Sequence, residues 1–203
     1  MKNRTYALIG TGVALTVLLA ACGGTTATGP DSSTPAAASS AADQTAGTAT
    51  AAEISFAQLM IPHHQQAVEM ADLALVATTS PEVRELAEQI KAAQDPEIQV
   101  MSEWLQEWGA PMEMGDDHGS HDMGGLTMSG MMTDEEMQAL ADATGTDFDR
   151  MWLQMMIAHH EGAVAMADQV RTESSNPDVT ALAEAVISGQ TAEIDTMQKM
   201  LTE

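Results

Sequence analysis

The chain has 203 residues, 44% of them hydrophobic but only 3% aromatic, and 17 are methionine. A core built mainly from Ala, Leu, Val, Ile and Met favours helix over sheet, because aromatic and β-branched strand formers are scarce. Seven basic against 30 acidic residues give a net charge of −23, which excludes nucleic acid as a partner and makes metal ions the natural ones.

At the N-terminus, Lys2 and Arg4 precede an apolar run from Ala7 to Ala20 and then Leu19-Ala20-Ala21-Cys22. This is the pattern of a bacterial secretory signal over residues 1–21, and the run is shorter than the ~20 residues that span a bilayer. Leu-Ala-Ala-Cys resembles the lipoprotein box, in which the cysteine is lipid-modified and becomes the new N-terminus. The protein is then expected on the extracytoplasmic face, held to the membrane through Cys22; a plain cleaved signal or an uncleaved anchor is the alternative. Cys22 is the only cysteine, so no thiolate or disulfide serves the mature chain. Residues 22–52 are Ala, Thr, Ser, Gly and Pro with almost no large apolar side chain and read as a disordered tether.

A single domain is expected from 53 to 203. Residues 60–105 laid on 156–201 without a gap give 19 identities in 46 positions at a constant offset of 96. The chain therefore carries two copies of one unit, over 53–108 and 147–203, joined by a connection over 109–146. Each copy breaks at the same place, Ser80-Pro81-Glu82 and Asn176-Pro177-Asp178, where a capping residue, a proline at the first helical position and an acid mark a helix start. The units are helix hairpins, with helices over 53–78, 81–108, 147–172 and 177–202. Together they predict an all-α, four-helix bundle with a pseudo-two-fold axis.

In the connection, Gly109-Ala110-Pro111 ends the second helix, and Thr133-Asp134-Glu135-Glu136 is a capping box that opens a short helix to about Thr144, closed by Gly145. Pro62 and Pro96 fall inside the first two helices, where kinks are expected; their counterparts are Ala158 and Ala192.

Met60, His63, Ala67 and Met70 form one helical stripe, repeated by Met156, His159, Ala163 and Met166; His64 and His160 point about 100° away. The facing stripes are Ile90, Gln94, Ile98, Met101, Leu105 and their counterparts Val186, Gln190, Ile194, Met197, Leu201. Imidazoles and thioethers from both hairpins would then share one interior. Neutral imidazole suits copper and zinc, and thioether sulfur favours soft Cu(I). The structural alternative is that methionine fills gaps in an aromatic-poor core and each buried histidine bonds a carbonyl, Gln or Glu. Were the imidazoles ligands with unperturbed basicity, metal affinity would weaken as pH falls through about 6.5.

A second candidate lies in the connection, where His118, His121 and Met123 sit among Met112, Met114, Met128, Met131 and Met132 in a polar, Gly-rich run. Such a segment can wrap a soft ion without a preformed cage, or fold its methionines over the end of the bundle. A di-iron carboxylate site needs Glu-x-x-His, and the residues three before the four histidines are Met60, Ile61, Met156 and Ile157, which argues against it. His-Glu-x-x-His, a phosphate loop and a nucleophile triad are likewise missing from the sequence, so no enzymatic activity is expected.

The twin M-I-x-H-H-x-x-A-V-x-M-A-D segments, the intervening Met-Gly-Gly and Met-Met-Thr-Asp-Glu-Glu-Met, and Gly145-Thr146-Asp147-Phe148-Asp149 resemble the bacterial domain-of-unknown-function family 305. The resemblance implies a ferritin-like four-helix bundle over about 53–203 and, from some members, an exported copper-binding protein. The leading expectation is a membrane-anchored protein that sequesters or delivers copper(I) or silver(I) without turnover. The alternative is an envelope interaction module whose histidines stabilise packing and whose methionines dock a partner.

Overall fold

The computed structural model describes residues 49–113 and 129–202. These residues form five helices: α1 Ala51–Ala77, α2 Pro81–Glu107, α3 Asp134–Asp142, α4 Gly145–Glu173 and α5 Pro177–Met200. The helix starts carry the expected chemistry. Thr50 and Glu53 close a capping box on α1, and Thr133 and Glu136 close another on α3. Ser80 caps α2 by accepting from the Val83 amide, Asn176 caps α5 by accepting from that of Asp178, and Pro81 and Pro177 stand at the first helical positions.

Two local expectations change. The short helix ends at Asp142 rather than Thr144, because Ala143 and Thr144 are both extended. Gly145 does not close it; with a φ of 60° it turns the chain into α4 and is that helix's first residue. Both α1 and α2 continue as helix through Pro62 and Pro96, each proline removing one amide donor from the ladder.

The helices α1 and α2 form one hairpin, α4 and α5 the other, and the hairpins meet chiefly through α1 against α4. The two central helices bury residues around much of their circumference. By contrast, α2 buries a narrower stripe that includes Val83, Leu86, Ala87, Ile90, Gln94, Met101 and Leu105.

The apolar interior divides in two. One half gathers Phe56, Met60, Met101, Ala163, Met166, Val170, Val179 and Val186; the other gathers Ala67, Met70, Val83, Ile90, Phe148, Trp152, Met156 and Met197. The repeat relates them: Phe56 and Trp152, Met60 and Met156, Met166 and Met70, Val179 and Val83 are pairs at an offset of 96. Full burial of such side chains contributes roughly 1.5–3 kcal/mol each.

The same symmetry appears in the bonds between hairpins. Ser174, in the turn of the second hairpin, donates to Glu53 at the start of α1 (2.6 Å), and its counterpart Thr78 donates to Asp149 near the start of α4. Trp152 breaks the symmetry, because its indole N–H donates to the Met70 carbonyl (2.8 Å), a bond that Phe56 cannot make.

Candidate metal centre

Between the two apolar halves lies a polar layer. His63 and His64 come from the middle of α1 and His159 and His160 from the middle of α4, and all four are fully buried. Because α1 and α4 pack directly, the first histidine of each pair meets the other: the rings of His63 and His159 lie with centroids 3.7 Å apart, tilted by 42°. The second histidine of each pair turns to the partner helix of its own hairpin. His64 Nε2 bonds the Glu97 carboxylate at 2.8 Å, and His160 Nε2 bonds that of Glu193 at 2.7 Å. These carboxylates are about one-fifth exposed, at 20% and 18%, so each hydrogen bond runs from the buried layer toward solvent.

Hydrogen bonding sets the tautomers. His63 Nε2 lies 3.1 Å from the carbonyl of Ser129, which can only accept, so Nε2 carries the proton and the neutral ring has its lone pair on Nδ1. The carboxylates impose the same arrangement on His64 and His160 when those rings are neutral. His159 has no hydrogen-bond partner on either ring nitrogen.

The distribution of unpaired groups is sharper still. Among the described residues, each buried side-chain nitrogen or oxygen without a partner belongs to His63, His64, His159, His160, Gln94 or Gln190, and all four Nδ1 atoms are in that set. One such group costs about 1–3 kcal/mol. Removal from water also depresses basicity: burial is the largest influence on His63, pushing it down to about 4, and on His159, which lies well below the usual histidine range. Neighbouring histidines add repulsion in both cases. Both central imidazoles are therefore neutral at pH 7, the form a metal ion requires.

The candidate methionines flank this layer. Met60 and Met166 lie in one apolar half and Met70 and Met156 in the other, all buried. Thioethers thus stand on both sides of the imidazoles, in half-cores where they also serve as packing. His118, His121 and Met123, like Cys22, lie outside the described residues.

The donor set fits a soft ion, but the rings are drawn together as they stand. Two imidazoles bound to one ion through bonds of about 2.0 Å would stand further apart than His63 and His159 do. Among the described residues, no three His, Cys, Asp or Glu side chains meet around a common point suited to an ion. A shared ion would require the central rings to rotate apart.

Glu97 and Glu193 are functional-site residues that the histidine pattern alone does not reveal. Their signal is the repeat itself, since each follows the second histidine of its pair by 33 residues. Ser129 belongs to the site through its backbone and leaves no side-chain signal.

The fold is shared with solved structures. A DUF305 protein from Streptomyces coelicolor is 34% identical, with a TM-score of 0.68, covering 74% of this chain and 91% of that one. A DUF305 fragment from Deinococcus radiodurans is 32% identical, with a TM-score of 0.66 and coverage of 76% and 97%. CopM in its Cu(I)-bound form is 33% identical, with a TM-score of 0.60 and coverage of 74% and 95%, and CopM has also been solved with Cu(II) and with silver. No protein of curated function matches the sequence. The family model for the domain of unknown function DUF305 matches residues 53–201, and the chain belongs to that family.

Proposed function

We propose that this protein binds copper(I) and silver(I) in its histidine layer, for sequestration or delivery and without catalytic turnover. One observation carries the reading: four buried imidazoles keep Nδ1 unpaired in a protein whose other buried side-chain polar groups, apart from Gln94 and Gln190, are paired among the described residues. The flanking thioethers of Met60, Met70, Met156 and Met166 would bias the layer toward soft ions. The copper- and silver-bound structures of the similar protein CopM support the same ligand class.

We place the protein outside the cytoplasm, with residues 1–21 as its export signal, Cys22 as its lipid anchor to the membrane and 22–52 as the tether of the folded domain. A net charge of −23 would enrich cations around it. His118, His121 and Met123 form a second, looser capture site in this scheme. His64 and His160 have a structural duty as well, since their bonds to Glu97 and Glu193 hold each hairpin together.

The test is a Cu(I) titration against a competing chelator, with the parent protein and with His63, His64, His159 and His160 all changed to Ala. Competition by the parent and its loss in the variant are expected. A parent that does not compete would sink metal binding, and a variant with undiminished affinity would move the site to His118 and His121.

A further inference from the structure

The duplication supplies two equivalent histidine pairs, but a single connection links the hairpins, so only one pair can receive it. Its returning end, Ser129–Met132, lies across the contact between α1 and α4 at the level of the histidines. Three features hold this strap. The Gln66 side chain accepts from the Met132 amide (2.7 Å) and donates to the Met132 carbonyl (2.8 Å). A Cβ on Gly162 would stand 1.8 Å from the Ser129 carbonyl oxygen, so only glycine lets the strap approach α4 there. Gly130, at φ +83°, packs so closely that its own Cβ would meet the Ala158 carbonyl oxygen at 2.4 Å.

Gln66 and Gly162 occupy the same position in the two repeats. Their difference has a physical reason: one reaches out to clamp the strap, the other withdraws to admit it. The Ser129 carbonyl so placed accepts from His63, while His159 receives no equivalent bond.

We propose that the strap makes the two central histidines unequal, fixing His63 as the anchored ligand of the ion and leaving His159 as the mobile one, with Gln66, Gly130 and Gly162 as positioning residues. The inference rests on metal binding in the histidine layer. Its mechanism is that of a metal-ligating histidine whose other ring nitrogen is held by an acceptor, which sets both tautomer and ring orientation. His159, free at both nitrogens, is the ring that can rotate away to open the 3.7 Å contact and admit an ion.

The test is histidine ¹⁵N NMR of the metal-free protein, followed by Ag(I) titration, on the parent, Gly162→Ala, Gln66→Ala and the control Gly189→Ala. A Cβ on Gly189 would meet nothing within 4 Å, so its substitution leaves the layer untouched. The parent and the control should show His63 as a single Nε2–H tautomer. Gly162→Ala and Gln66→Ala should show mixed tautomers at His63 and an Ag(I) affinity about 10- to 100-fold weaker. Should Gly162→Ala fail to fold, Gln66→Ala decides, since it removes the clamp without inserting bulk. An unchanged His63 tautomer, or unchanged Ag(I) affinity, in the folded strap variants would overturn the proposal. If the parent binds no Ag(I), metal binding itself fails, and the tautomer comparison still tells whether the strap controls His63.

Discussion

Lowering the pH should unfold the metal-free protein through its central histidines. His63 is held at about 4 in the folded protein against 6.5 unfolded, and His159 is displaced in the same direction. Between those values the unfolded chain binds a proton that the folded one refuses, so stability falls as pH falls across the window and levels off below about 4. For His63 alone the displacement corresponds to about 3 kcal/mol, and His159 adds to it. Protonation of acidic residues runs the other way in part, because it relieves repulsion in a chain of net charge −23. The difference between the parent and the double variant His63→Gln, His159→Gln isolates the histidine share. Urea unfolding followed by helical circular dichroism at pH 7.5, 6, 5 and 4 is the assay. The parent should lose about 3 kcal/mol more than the variant between pH 7.5 and 4. Parallel stability curves for the two proteins would refute the claim that these rings are buried neutral.

The same depression changes the pH window of metal binding: Ag(I) affinity should stay nearly level from pH 7 to 5 and fall only toward 4, as titrations at stepped pH would reveal. Glu97→Gln and Glu193→Gln should each weaken Cu(I) binding by about 10- to 100-fold, measured by chelator competition, because the amide no longer holds its histidine with a carboxylate. Trp152→Phe imitates its repeat counterpart Phe56 and should cost roughly 1–2 kcal/mol in urea unfolding, through the lost bond to the Met70 carbonyl and the volume removed.

Much of the architecture is legible in the sequence because it depends on local chemistry and on the repeat. Ser80-Pro81 and Asn176-Pro177 announce helix starts in any context, and an offset of 96 residues predicts two hairpins before any contact is known. The stripe through His63 and His159 follows from helical periodicity, and these two rings do meet. The partners of His64 and His160 are not legible, since Glu97 and Glu193 are two among 30 acids until the register of each hairpin brings them close. Gly145 is ambiguous because a glycine between two helices suits the end of one as well as the start of the next. The expected pH threshold near 6.5 assumes solvated imidazoles, and full burial is what displaces it. The strap is hidden for another reason: it acts through the backbone of Ser129 and through the absence of a side chain at Gly162.

The most direct measurement is the histidine ¹⁵N spectrum of the protein before and after one equivalent of Ag(I). Metal binding in the layer predicts that the Nδ1 resonances of His63 and His159 shift while Nε2 of His63 stays protonated against Ser129. Unmoved resonances at His63 and His159, with changes confined to His118 and His121, would contradict it.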